Sequence, residues 1–78
     1  MKLSDVKKNG RVKIINFLDV DENLYMRFLS FGLIRDKEIV IKNCSPFKTN
    51  VEIMIDNSFV ALRREEAELI EVEHILEK

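Results

Sequence analysis

The chain has 78 residues, of which 46% are hydrophobic and 35% charged, and a net charge of −1. A chain of that length forms one small domain that buries roughly 60% of the surface it exposes unfolded; this excludes a deep cleft, and the composition excludes a disordered chain. Lys and Arg outnumber Asp and Glu ten to six in residues 1 to 48 and fall behind three to eight in residues 49 to 78, but Lys2, Lys7, Lys8, Arg11 and Lys13 are scattered, so the concentrated basic face of a nucleic-acid binder is not expected.

Taken in chain order, the first element is a strand from Arg11 to Leu18, "RVKIINFL", rich in β-branched and aromatic residues and preceded by Asn9-Gly10 as a turn. "DVDEN" then starts a helix near residue 22, with Asp19 or Asp21 as the N-cap. In "ENLYMRFLSFG" the apolar residues Leu24, Phe28 and Phe31 follow the i, i+4, i+7 spacing of a helix laid on a core, with Tyr25 and Leu29 on its flank. Gly32 sits where that helix stops, in the left-handed conformation that costs a residue with a Cβ. With Gly32 at C′, Phe28 is C3 and Leu33 is C″, and those two side chains are expected to meet in a Schellman-type contact.

"KEIVIKN" puts Ile39 and Ile41 on one face of a second strand, and Pro46 in "SPFKTN" interrupts the pattern. "VEIMI" turns Val51, Ile53 and Ile55 inward and Glu52 and Met54 outward. Asp56-Asn57-Ser58 makes a tight hairpin turn into "FVALR", with Asn57 expected to hold the positive φ. "REEAEL" is one helical turn at most, and "IEVEHI" closes the chain as a strand with Ile70 and Val72 buried. The elements describe an all-β domain over residues 1 to 78. They give a small five-stranded antiparallel barrel with one helix inserted after the first strand and a short helical turn before the last, because closure removes edges that so small a sheet could not protect.

Two segments resemble the FeoA family, the small cytosolic component of bacterial ferrous iron transport. "RFLSFGL" (27 to 33) is similar to the family's helix-end motif, at Arg27, Phe28, Phe31, Gly32 and Leu33. "ALRREEAELIEVE" (61 to 73) is similar to its C-terminal motif, at Ala61, Leu62, Arg63, Ala67, Ile70 and Val72. The resemblance implies an SH3-like barrel and a non-enzymatic partner of the ferrous iron permease FeoB, whose cytosolic part carries a GTPase domain. The same architecture occurs as the C-terminal domain of iron-dependent repressors, but this chain lacks their DNA-binding and dimerisation regions. The chain departs from the family in its loops. Arg35-Asp36 stands where a Pro-Gly turn is usual, "VKKNG" replaces a Lys-Pro-Gly turn, and "PFKTN" replaces a Pro-Leu-Gly-Asp-Pro loop, keeping Pro46 and a large apolar Phe47.

No catalytic constellation is expected, because acid–base and nucleophilic sites need positioned groups and the chain has one histidine, His74, and one cysteine, Cys44. A lone cysteine forms no internal disulfide and fits a reducing, cytoplasmic setting; the first ten residues lack the apolar core of a secretory signal, and direct membrane insertion is not expected. Cys44 reads as a small hydrophobe at a strand end. Glu73, His74 and Glu77 could in principle ligate a metal, but on a strand they point to different sides, so neither a metal nor a cofactor is expected. "RREE" (63 to 66) reads as a solvated turn. Capture of a proline-rich peptide is not expected, because the chain has no Trp and its one Tyr lies on the inserted helix. What remains is docking through surface apolar residues, with Tyr25, Leu29, Phe47 and Met54 as candidates. The expected partner is an FeoB-type permease on its cytosolic side. A homo-oligomeric module or a free-standing SH3-like nucleic-acid binder is the alternative, although nucleic acid is not the expected ligand.

Overall fold

Strand order explains how 78 residues enclose a core. In the computed structural model, which describes residues 1–43 and 50–75, five antiparallel strands are β1 (Arg11–Phe17), β2 (Glu38–Asn43), β3 (Asn50–Ile55), β4 (Ser58–Arg63) and β5 (Ile70–His74). They pair in the order β4-β3-β2-β1-β5. Helix α1 (Glu22–Ser30) is inserted between β1 and β2, and the single turn α2 (Arg64–Ala67) links the two end strands of the sheet. The period of two decides which face is enclosed: Val12, Ile14, Ile39, Ile41, Val51, Ile53, Ile55, Leu62, Ile70 and Val72 are all buried.

Helix α1 closes one opening of this curled sheet. Asp21 caps it, with Oδ1 accepting the Leu24 N–H at 2.8 Å, and Asp19 instead takes a left-handed turn at φ 50°. Phe28 is fully buried, and Leu24 and Phe31 pack partly buried against the core. At the other end the Leu33 N–H donates to the Phe28 carbonyl and the Gly32 N–H to the Leu29 carbonyl, both at 3.0 Å. That is the Schellman pattern. Gly32 holds φ at 84°, and Phe28 and Leu33 share the core cluster.

The second glycine has a different reason. A Cβ on Gly10 would lie 2.6 Å from Val6 Cγ1 and 2.9 Å from the Lys7 carbonyl oxygen, so the tight turn feeding β1 has no space for a side chain. Elsewhere the chain bends without glycine. Asn9, Asp19, Asp36 and Asp56 all adopt positive φ, and Asn and Asp are the non-glycine residues that tolerate it best. Asp36 holds φ 69° in the turn where the family resemblance leads one to expect Pro-Gly, and its N–H donates to the Ile14 carbonyl at 2.7 Å.

Four sequence readings need correction. The barrel is not closed by strand pairing, since among the described residues β4 and β5 do not bond to each other, and the sheet keeps two edge strands. The positive φ in the β3–β4 hairpin lies on Asp56, at 54°, and not on Asn57. Ile55 pairs directly with Ser58, leaving a two-residue loop whose first residue is Asp56, and both common two-residue turn types require φ > 0 there. The first strand ends at Phe17 rather than Leu18, whose N–H turns to the Leu69 carbonyl at 2.7 Å. The N-terminus also carries an unanticipated 3-10 turn at Leu3–Asp5 that buries Leu3 and Val6. It runs along β5: Lys2 bridges Glu71, and the Val72 N–H donates to the Met1 carbonyl at 2.7 Å.

Candidate functional site

Among the described residues the surface carries two apolar faces and an ion-pair clasp between α1 and α2. The clasp fixes how α1 is presented. Glu66 is buried at 8% exposure in α2. Its Oε1 accepts the Arg63 N–H at 2.9 Å, so it caps the first turn of α2 from the N3 position, and its Oε2 lies 3.1 Å from Nε of Arg27 near the end of α1. The Arg27 guanidinium also sits 5.3 Å from the centre of the Phe31 ring. "RREE" is therefore not simply a solvated turn, as its sequence implied. One of its carboxylates is buried because Arg27, some forty residues earlier, supplies the counter-charge.

Replacing Glu66 with Ala removes both bonds and leaves the part-buried Arg63 N–H without its acceptor. The Arg27 partner is half exposed and screened, so most of the cost comes from that amide: about 1–3 kcal/mol by thermal denaturation. Glu66→Gln retains one bond and should lose less.

The first apolar face is the outward side of α1. Tyr25 is 41% exposed and Met26 59%, with Leu29 half-buried one turn on from Tyr25. Tyr25 is not loose, since its ring meets Phe17 edge-on at 5.6 Å, and Phe17 in turn stacks on Phe28 at 5.6 Å. The second face is a row across the outside of the sheet. Met54 on β3 pairs with Val40 on β2 and with Phe59 on β4, and Phe59 is 68% exposed. Of the four residues that the sequence nominated, Tyr25 and Leu29 thus share α1, Met54 belongs to the sheet row, and Phe47 lies outside the described residues. Phe59 and Met26, the two most exposed large apolar side chains among the described residues, were not nominated. The hairpin register held the signal for Phe59, because a two-residue loop after an outward Met54 places Phe59 opposite it.

Among the family-motif positions, Phe28, Leu33, Leu62, Ala67, Ile70 and Val72 are buried, Phe31 and Gly32 are partly so, and Ala61, Arg63 and Arg27 are exposed. A shallow cleft of about 370 Å³ is lined by Lys13, Glu38, Glu73, His74 and Ile75. Its charges are partly matched internally, with Lys13 Nζ 3.5 Å from Glu73 Oε1. Among the described residues no three His, Cys, Asp or Glu side chains come together as metal ligands; Cys44 and Glu77 lie outside those residues. No helix among the described residues is long and apolar enough to cross a membrane.

A five-stranded antiparallel barrel that is stoppered by an inserted helix and presents apolar side chains on its outside is an SH3-like domain. The comparisons with known proteins agree and go further. Residues 1–74 match the FeoA domain, and the chain belongs to that family. It is 35% identical over 72 residues to a Campylobacter jejuni protein named Fe(2+) transport protein A, covering 92% of this chain and 96% of that one. The solution structure of the FeoA protein from Chlorobium tepidum superposes with a TM-score of 0.85 at 28% identity, over 99% of this chain and 71% of that one. A manganese-dependent transcriptional repressor shares the fold, with a TM-score of 0.88 at 20% identity over 96% of this chain and 41% of that one.

Proposed function

We propose that this chain is a non-enzymatic cytosolic accessory protein of ferrous iron uptake, which docks on the FeoB permease or its GTPase domain and modulates transport. Membership of the FeoA family and relatives named for Fe(2+) transport support the process. The observation that carries the mode of action is the outward face of α1, where Tyr25 and Met26 are exposed on a helix fixed to the barrel by Phe28, Gly32 and the Arg27–Glu66 pair. Aromatic and methionine side chains are the enriched anchors of protein interfaces, and a helix fixed in advance loses little entropy when it docks.

Pull-down of the permease's cytosolic region tests this. The wild-type chain should recover it, and a Tyr25→Asp/Met26→Asp variant with an unchanged circular dichroism spectrum should lose at least about tenfold in recovery, the scale of a single hot spot. Equal recovery by the variant would remove α1 as the docking face, and no recovery by either protein would remove the accessory role. Three of the cations in the basic half, Lys13, Arg27 and Lys37, are paired with carboxylates, which weighs against a phosphate-driven complex as the alternative.

A further inference from the structure

The two end strands of the sheet are treated differently. The edge of β5 is covered by Met1 and Lys2 and carries Glu71 and Glu73. The edge of β4 has no such cover among the described residues. Its sequence from Ser58 to Leu62, "SFVAL", contains no charge and no proline, the devices by which exposed edges are usually blocked. The hairpin register shows which backbone groups this edge offers. Ile55 and Ser58 flank a two-residue loop and so form a hydrogen-bonded pair; bonded pairs alternate, so Val60 and Leu62 also turn their N–H and C=O to β3. Phe59, Ala61 and Arg63 turn theirs outward. The Arg63 N–H is taken by Glu66, as that parity requires. Among the described residues nothing takes the two N–H and two C=O groups that Phe59 and Ala61 turn to the edge.

We infer that β4 is a self-association edge, which pairs antiparallel with β4 of a second copy of this chain about a two-fold axis through Val60. In that register Phe59 lies opposite the second copy's Ala61, and Ala61 opposite its Phe59. Residues directly opposite in a bonded pair exchange both hydrogen bonds, so four bonds form and all eight edge groups of the two strands are satisfied. The side chains fit the same register. Each large exposed Phe59 ring faces a small exposed Ala61 on the outer surface, and Val60 faces Val60 on the inner one.

Charge sets the direction. Asp56, paired with Lys37 but with its side chain 73% exposed, precedes β4, and the exposed Arg63 ends it. Antiparallel pairing therefore brings the acidic start of each strand beside the basic end of the other, twice, whereas parallel pairing would set like beside like. A strand of this length buries an area at the low end for protein interfaces, so the dimer is a weak one, with Kd on the order of 100 µM. The α1 face is not used, and the inference does not depend on the proposed function.

Sedimentation equilibrium from about 10 µM to 1 mM should show the mass rising from 9.2 kDa towards twice that value. Phe59→Lys, at an exposed site, should keep its melting temperature and stay monomeric across the range. In the concentrated wild-type sample the Phe59 and Ala61 amides should gain about fourfold protection from hydrogen exchange over the dilute one, because a Kd of about 100 µM leaves roughly one chain in five monomeric at 1 mM and most chains monomeric at 10 µM. A wild-type chain that is monomeric at 1 mM, a Phe59→Lys variant that dimerises as well as wild type, or a dimer with those two amides unprotected would each overturn the inference.

Discussion

Replacing Phe28 with Ala should lower stability by about 3–5 kcal/mol, the usual loss for a buried aromatic truncated to alanine. Phe28 is fully buried and is the largest such side chain among the described residues. It is the α1 residue that reaches deepest, and its ring stacks on Phe17, which in turn holds Tyr25. Removing it opens a cavity under the helix and leaves Leu24 and Phe31, both only partly buried, to hold α1 down. A domain this small has little reserve. At roughly 4–8 °C per kcal/mol, the melting temperature should fall by about 15–30 °C in thermal denaturation followed by circular dichroism. A fall of only a few degrees would mean that α1 is not the stopper of the barrel.

The second large effect is at Gly32, where valine should cost about 1–3 kcal/mol for a reason that is purely conformational. A Cβ built there meets nothing nearer than Ile55 Cγ2 at 3.9 Å, so space is not limiting. The backbone is, because φ is 84° and an L-residue with a branched Cβ is strained in that region. Asparagine, which tolerates positive φ, should therefore recover most of the loss, as a steric explanation would not predict. Equal melting temperatures for the valine variant and wild type would show that α1 does not depend on this C-terminal cap.

Much of the fold could be read from the sequence because local signals and global pattern agree. The alternation in "VEIMI" and "KEIVIKN", the 24, 28, 31 stripe and the lone glycine after it each have one physical reading, and α1 and the strands follow from them. What could not be read depends on pairing over long distances. Glu66 looks like any surface carboxylate until Arg27 is brought beside it. Leu3 and Val6 have no periodic neighbours to mark them as core, and their burial depends on the N-terminus lying along β5. Asn57 was the better turn residue by type, but the register of Ile55 with Ser58 placed the constraint on Asp56. The departures from the family's glycine-bearing turns have a partial answer in the same terms, since Asn9 and Asp36 hold the left-handed conformation that a glycine would supply. The candidate surface was read least well: Tyr25 and Leu29 do lie together on α1, whereas Met54 belongs to a sheet row whose most exposed member is Phe59.

These observations describe a small barrel whose chemistry lies in its surface. Phe28, Gly32 and the Glu66 clasp serve the same end, which is to hold a short helix rigidly with Tyr25 and Met26 turned outward. The most direct test is a titration of the isotope-labelled chain with the unlabelled cytosolic region of the ferrous iron permease, followed by NMR. Perturbations concentrated at Tyr25, Met26 and Leu29, with the core residues unmoved, are the predicted result. Saturable binding that leaves all three resonances in place, or no binding at millimolar permease domain, would contradict it.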